Sequence, residues 1–180
     1  MESNSFQTPF FWNYPPYFTL QPVKDSREKQ INLWHDLILS YCKHQKIYVI
    51  SGNATDRFPL FTNTSINRSL NQDAINTILG AAVTAGRAEW LGKEQDQCIV
   101  YWRSLKEWAE LLYSFAQSTG QKDPVMTVEE ISSGVETQGT ELAGVHREVL
   151  VRAIRRLEKS DRARLFKGES GDDDGVKFFT

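Results

Sequence analysis

Trp34-His35-Asp36-Leu37-Ile38-Leu39-Ser40-Tyr41 and Trp108-Ala109-Glu110-Leu111-Leu112-Tyr113-Ser114-Phe115 are one pattern met twice. In each, a tryptophan is followed by apolar residues three and four places on and by an aromatic ring seven places on. That spacing puts the apolar groups on one face of a helix, and Ile31 and Leu105 carry the two patterns backwards. The offset is about 74 residues. Working outward, Ile75, Ile78, Leu79 and Ala82 match Leu150, Ala153, Ile154 and Leu157 position for position. Each of these second helices runs into a strand beginning Arg-Ala: Arg87-Ala88-Glu89-Trp90-Leu91 and Arg162-Ala163-Arg164-Leu165-Phe166. A polar loop follows in both, Gly92 to Gln97 and Gly168 to Asp174. A second strand then follows, Ile99-Val100-Tyr101-Trp102 and Val176-Lys177-Phe178-Phe179.

Between the two long helices of the second copy, Met126 to Gly134 reads as a short helix. Thr127 and Glu130 have capping-box spacing, and Gly134 closes the end. In the first copy, Phe58-Pro59-Leu60-Phe61 reads as extended and Asn63 to Arg68 as a turn, with Ser69 and Gln72 at cap spacing before the next helix. Helix, short helix, helix and a two-stranded wing is the plan of a winged-helix domain. The expected fold class is therefore α+β: two tandem winged-helix domains, over residues 23–102 and 103–180, behind an extended aromatic and proline arm over 1–22. Trp102 ends one copy and Leu105 begins the next, so no flexible linker is expected between them.

Composition agrees with packed domains: 40% of the 180 residues are hydrophobic and 24% are charged. A net charge of -2 argues against a protein whose main affinity for nucleic acid or anionic membrane is a whole-surface positive field. Cys42 and Cys98 read as buried free thiols. The start of the chain lacks a basic region followed by an apolar core, and no stretch approaches the roughly 18 apolar residues of a bilayer span. The expected location is the cytosol, with membranes reached only through partners.

No catalytic set emerges. His35 and His44 lie on the first helix and His146 near a helix start, without neighbours at metal-ligand spacing. Phosphate-binding glycine loops and the G-x-S-x-G elbow are absent from the sequence. Asp172-Asp173-Asp174-Gly175 lacks the alternation and distal Glu of a calcium loop and reads as a solvated wing tip. Neither enzyme activity, cofactor nor metal is expected.

Two places read as contact surfaces. The arm carries Phe6, Phe10, Phe11, Trp12, Tyr14, Tyr17 and Phe18 among Pro9, Pro15 and Pro16. Prolines hold it out of regular helix, so its rings need a groove, either on its own first domain or on a partner. Pro15-Pro16-Tyr17-Phe18 falls short of a P-P-x-Y ligand because Phe stands in the fourth place. On the later helix of the second copy, Arg152, Arg155, Arg156 and Lys159 gather opposite the apolar positions as a basic stripe. Three readings of that stripe stand: a solvated face, a surface for an acidic protein helix, or a nucleic-acid contact. The corresponding helix of the first copy, Asn71 to Ala85, has Asp73 and no Lys or Arg, which counts against a tandem nucleic-acid reader.

Tyr14-Pro15-Pro16-Tyr17-Phe18-Thr19-Leu20-Gln21-Pro22, then Arg27-Glu28-Lys29-Gln30 and Trp34, resembles the start of the small winged-helix subunit family of ESCRT-II. Pro59-Leu60-Phe61, Gly86 to Leu91, Trp102-Arg103, Glu107-Trp108 and Gly175 to Phe179 extend the resemblance over nearly the whole chain. The resemblance implies a non-enzymatic adaptor, two copies of which form arms on vacuolar protein sorting-associated proteins 22 and 36. It implies that the Pro-Pro-x-aromatic motif, here Pro15, Pro16 and Phe18 with Tyr14 and Tyr17 around them, docks in hydrophobic pockets of those partners. It further implies that the second domain recruits the initiating ESCRT-III subunit during sorting of ubiquitinated cargo into multivesicular bodies, at endosomal membranes reached through the complex. For that second contact the helix geometry nominates Arg152, Arg155 and Arg156. The alternative is a winged-helix nucleic-acid binder using the same basic helix.

Overall fold

The first Trp-led stretch lies in a 22-residue helix, α1 (Lys24–Gln45), of a computed structural model that describes residues 4–53 and 56–180, the Asp172 side chain excepted. Met1–Ser3, the first residues of the arm, fall outside the described residues. Two compact units emerge, Met1–Trp102 and Arg103–Thr180.

In the first unit α1 begins seven residues ahead of its apolar pattern. Its opening turns are covered by the arm through a buried amide, Gln30, rather than through apolar residues, so periodicity could not mark them. After it come β1 (Val49–Ser51), a 3-10 turn at Pro59–Phe61, and a short pair, β2 (Thr62–Asn63) and β3 (Arg68–Ser69). The turn expected at Asn63 to Arg68 thus closes a small hairpin, and Phe58 to Phe61 coils instead of extending. Next is α2 (Gln72–Thr84), capped by Asn71, whose side chain accepts from Ala74 N at 2.8 Å. Ser69, the expected cap, belongs to β3. The unit ends with β4 (Ala88–Leu91) and β5 (Gln97–Val100).

The second unit repeats the order. α3 (Leu105–Ser118) opens on a capping box of Ser104 and Glu107. It is followed by β6 (Val125–Thr127), α4 (Val128–Ser133), α5 (Arg147–Glu158), β7 (Ala163–Phe166) and β8 (Gly175–Phe178). The capping box of Thr127 and Glu130 forms on α4. Gly134 ends that helix in extended conformation, and only glycine fits there, because a Cβ would stand 2.3 Å from the Glu130 carbonyl oxygen.

Each wing is a three-stranded antiparallel sheet, not the two-stranded hairpin expected. The orders are β1-β5-β4, with Ile50 opposite Cys98, and β6-β8-β7, with Met126 opposite Val176. The added strands β1 and β6 are themselves a repeat pair, about 76 residues apart. Three residues are too few for an alternation to be read, and their pairing is entirely long-range. The fold is α+β, two tandem winged helices. Trp34, Phe61, Ile75, Ile78 and Leu79 fill the first core, and Leu112, Ile131, Leu142, Leu150 and Phe178 are buried in the second unit. Cys42 and Cys98 are buried free thiols, both pushed up to about 12 by desolvation. Among the described residues no helix is long and apolar enough to cross a membrane.

Candidate functional site

Pro15 and Pro16 fix φ near the value a 3-10 turn needs, and the arm turns twice instead of staying extended: at Phe10–Asn13 and at Pro15–Phe18. The second turn delivers Tyr17 flat onto Trp34, ring centroids 4.3 Å apart at 8°, and sets Phe18 edge-on to the same indole at 5.4 Å. Both are core residues, 4% and 3% exposed, and burial also raises the Tyr17 phenol above its ordinary value. Tyr17 and Phe18, expected as partner anchors, have their rings packed inside the first unit. The alternative in which the arm folds back on its own domain accounts for them.

Polar groups pin the arm in place. Trp34 Nε1 donates to Tyr17 O at 3.1 Å. The Gln30 amide donates to Tyr17 O at 3.0 Å and Thr19 O at 2.8 Å, while its Oε1 accepts from Gln21 N at 3.0 Å. Nearer the start, Trp12 Nε1 donates to Leu60 O, and buried Asn63 donates to Trp12 O at 2.8 Å. What remains outside is Phe10 (82% exposed), Tyr14 (56%), half-buried Pro15 and exposed Pro16. Together with Leu33 (40% exposed) and Lys29 of α1, Phe11, Tyr14, Pro16 and Tyr17 border an open groove of about 380 Å³. Leu33 is an addition that the helix periodicity does not nominate; its signal is an apolar residue out of phase with the Ile31, Trp34, Leu37, Ile38, Tyr41 stripe.

The basic stripe of α5 divides. Arg152 is half-buried and held by the Glu148 carboxylate one turn back. Arg155 is exposed and, with Arg147 and Lys167, borders a groove of about 370 Å³ on the wing side. Arg156 is exposed on the opposite flank, bordering with Lys106, Lys159 and Arg162 a groove of about 350 Å³ against α3. There the Arg162 guanidinium grips Glu110 through two bonds of 2.6 and 2.9 Å and lies 3.9 Å from the Tyr113 ring centroid. That ion pair holds the Glu110 carboxyl below its ordinary value. One uninterrupted stripe is therefore two separate basic rims, because α3 packs on one flank of α5 and the wing on the other.

The acidic wing run is solvated at Asp173 but not at Asp174, and the Asp172 side chain lies outside the described residues. Asp174 is buried, paired with Arg147, and accepts from Gly168 N at 3.0 Å. It latches the wing to the start of α5, where solvated tip residues were expected. His35 is buried with Nε2 2.8 Å from Ile78 O, and desolvation lowers its pKa. His146 caps α5, its Nδ1 accepting from Glu148 N. Among the described residues no group of three or more His, Cys, Asp or Glu is placed to hold a metal ion.

Comparison with known proteins follows the same outline. A family model described as ESCRT-II complex subunit matches residues 11–146. The chain is 53% identical over 173 residues to vacuolar protein sorting-associated protein 25 of Arabidopsis thaliana, covering 96% of each chain. It is 37% identical over 174 residues to the protein of that name from Drosophila melanogaster, covering 97% and 98%. Among solved structures, the crystal structure of subunit VPS25 of the endosomal trafficking complex ESCRT-II superposes with a TM-score of 0.84 at 28% identity, covering 94% of this chain and 97% of that one. A chain in the crystal structure of endosomal complex ESCRT-II (VPS22/VPS25/VPS36) does so with a TM-score of 0.81 at 28% identity, covering 94% and 98%. With a family match over most of its length and full-length relatives above one-third identity, the chain belongs to the ESCRT-II complex subunit family.

Proposed function

We propose that this chain is a non-enzymatic adaptor, the small winged-helix subunit of an ESCRT-II assembly. Its arm docks on partner subunits equivalent to vacuolar protein sorting-associated proteins 22 and 36. Its second unit contacts the initiating ESCRT-III subunit, and the whole serves the sorting of ubiquitinated cargo into multivesicular bodies, at endosomal membranes reached through the complex. The relatives assemble in a complex with subunits of those names, which supports the first contact.

One observation carries the docking reading: Tyr14, Pro15 and Pro16 are held on the outside of a turn whose other residues are locked into the core. A pre-held aromatic and two prolines lose little conformational freedom when a partner's pocket closes on them. Tyr17 and Phe18 act from inside, as the fixed end of the turn. For the ESCRT-III contact, Arg155 and Arg156 are exposed and belong to different rims, while Arg152 is held by Glu148. That division weakens the nucleic-acid alternative, which needs a continuous cationic face in one groove.

Co-expression with the two partner subunits tests the arm. Replacing Tyr14, Pro15 and Pro16 together by Ala should leave both units folded and cut co-purification by at least about tenfold, the effect of losing one well-buried aromatic anchor. Undiminished co-purification would remove the docking claim.

A further inference from the structure

Lys106 stands exposed in the first turn of α3, where the positive end of the helix dipole disfavours a cation. Across the groove of about 350 Å³ it meets Arg156 and Lys159 at the end of α5, and Arg162 just before β7. Arg162 is committed, gripping Glu110 through two bonds with its guanidinium over the Tyr113 ring. The Arg162 bond holds the Glu110 carboxyl below its ordinary value, and the charges of Lys106 and Arg156 add to that pull, so both cations reach the same point. Among the described residues Lys106, Arg156 and Lys159 form no ion pair, and all three are exposed. Four cations against one carboxylate leave three positive charges around the groove.

Arg156 and Lys159 suit the negative end of α5, and the dipole alone accounts for them. Lys106 suits neither its own helix nor its neighbours, so the convergence is a standing repulsion that a bound anion would relieve. Ala109 and Leu157, the apolar residues of the lining, are 2% and 1% exposed, so the groove offers no apolar stripe to a protein helix. A duplex needs a cationic track rather than one concave spot, and a net charge of -2 lends it no wider field. We propose that this groove binds a small ligand carrying two or more phosphomonoesters on a polar ring, as in an inositol phosphate, free or as a lipid headgroup. Two such groups carry about -3 to -4 near neutral pH, matching the uncompensated charge. Lys106 and Lys159 take phosphates from opposite walls, and Arg156 reaches two oxygens at once with its planar fork. Arg156 is shared with the contact proposed above, but the site stands equally on Lys106 and Lys159 and does not depend on that contact.

The probe is inositol trisphosphate, titrated into the full chain by calorimetry at low salt, with unphosphorylated inositol as its neutral twin. The trisphosphate should bind, weakening steeply as salt rises, and the neutral ring should not. Lys106→Gln with Lys159→Gln should weaken binding about tenfold or more, since two charge-assisted contacts are lost. Lys167→Ala, on the wing-side rim, should leave it unchanged. Lys106→Gln alone should also raise the unfolding temperature of the free chain by about 1–3 °C, because it removes a charge held against its helix dipole. Sedimentation with phosphatidylcholine vesicles, with and without phosphatidylinositol bisphosphate, separates the sources: capture by the bisphosphate vesicles assigns the lipid headgroup, and soluble binding without capture assigns the free phosphate. Absence of trisphosphate binding, equal binding of the neutral ring, or a Lys167→Ala effect as large as that of the lysine pair would overturn the proposal. So would a lower unfolding temperature in Lys106→Gln, or an oligonucleotide that displaces the trisphosphate and binds more tightly through the same two lysines.

Discussion

Removing one buried amide should loosen the arm more than any change to its prolines. In Gln30→Ala, Tyr17 O keeps the Trp34 indole as a donor, and Thr19 O keeps Gln21 Nε2 at 2.9 Å. The Gln21 N–H has no second acceptor of that kind, since its partner is Gln30 Oε1. An orphaned donor costs about 1–3 kcal/mol, so about 2 kcal/mol is expected, equivalent to roughly thirtyfold faster hydrogen exchange at the Gln21 amide if the arm opens locally. Gln30→Glu is close in shape and should be worse at neutral pH. It keeps an acceptor for Gln21 but turns a negative charge toward the carbonyl oxygens of Pro16, Tyr17 and Thr19, where a donor stood. Amide exchange followed by NMR, alongside the near-ultraviolet signal of the stacked Tyr17 and Trp34, gives the order wild type, then Ala, then Glu. A glutamate variant as protected as wild type would refute the latch.

Acidification should weaken the first unit through His35. Its Nε2 hydrogen must face the Ile78 carbonyl, which leaves Nδ1 buried without a partner and protonation resisted, with Asp36 and Arg87 as the charged neighbours. The folded pKa lies below the unfolded value of about 6.5, so the stabilisation is full above that pH and is lost as pH falls toward the folded pKa, with a slope approaching 1.4 kcal/mol per unit. In urea titrations across that window His35→Gln should flatten the slope; an identical slope in both proteins would clear His35 of the effect. Cys42 and Cys98, buried and with thiols raised to about 12, should resist an aromatic disulfide reagent at pH 8 in the folded protein and both react in urea. Rapid labelling of either thiol in native buffer would show that the core around α1 and β5 opens more readily than its packing implies.

The repeat was legible because it is written in core residues: Trp34 and Trp108, Ile78 and Ala153, Leu79 and Ile154 must face inward for either copy to fold. Strands of three residues were not, nor was the start of α1, where a buried glutamine does the work of an apolar stripe. The arm defeated local reasoning for the same cause. Its aromatic content announced a groove, but nothing within residues 10–18 says that Tyr17 would find Trp34 while Tyr14 would not. Likewise the spacing of Arg152, Arg155 and Arg156 gives one helix face, and only the neighbours of α5, absent from any wheel, show that the face is split.

The matched tryptophans explain how one fold came to carry two surfaces. Each lies near the start of its unit's first helix pattern, buried in that unit, and each has a side chain packed over its ring. In the second unit the cover is Arg103, its guanidinium 4.8 Å from the Trp108 ring and paired with Glu141. In the first unit it is the Tyr17 ring at 4.3 Å, delivered by the arm. A cation and a phenol ring both suit the indole face, the first through its charge and the second through stacking and area. Covering with a side chain next to the helix start leaves the second unit free to vary the rest of its surface, where the two basic rims are found. Covering with a chain segment commits the first unit to carry the whole turn, including the parts that face outward. The exposed Tyr14, Pro15 and Pro16 are thus consequences of how Trp34 is buried: the packing that stabilises the first unit also fixes the shape of what it offers to a partner.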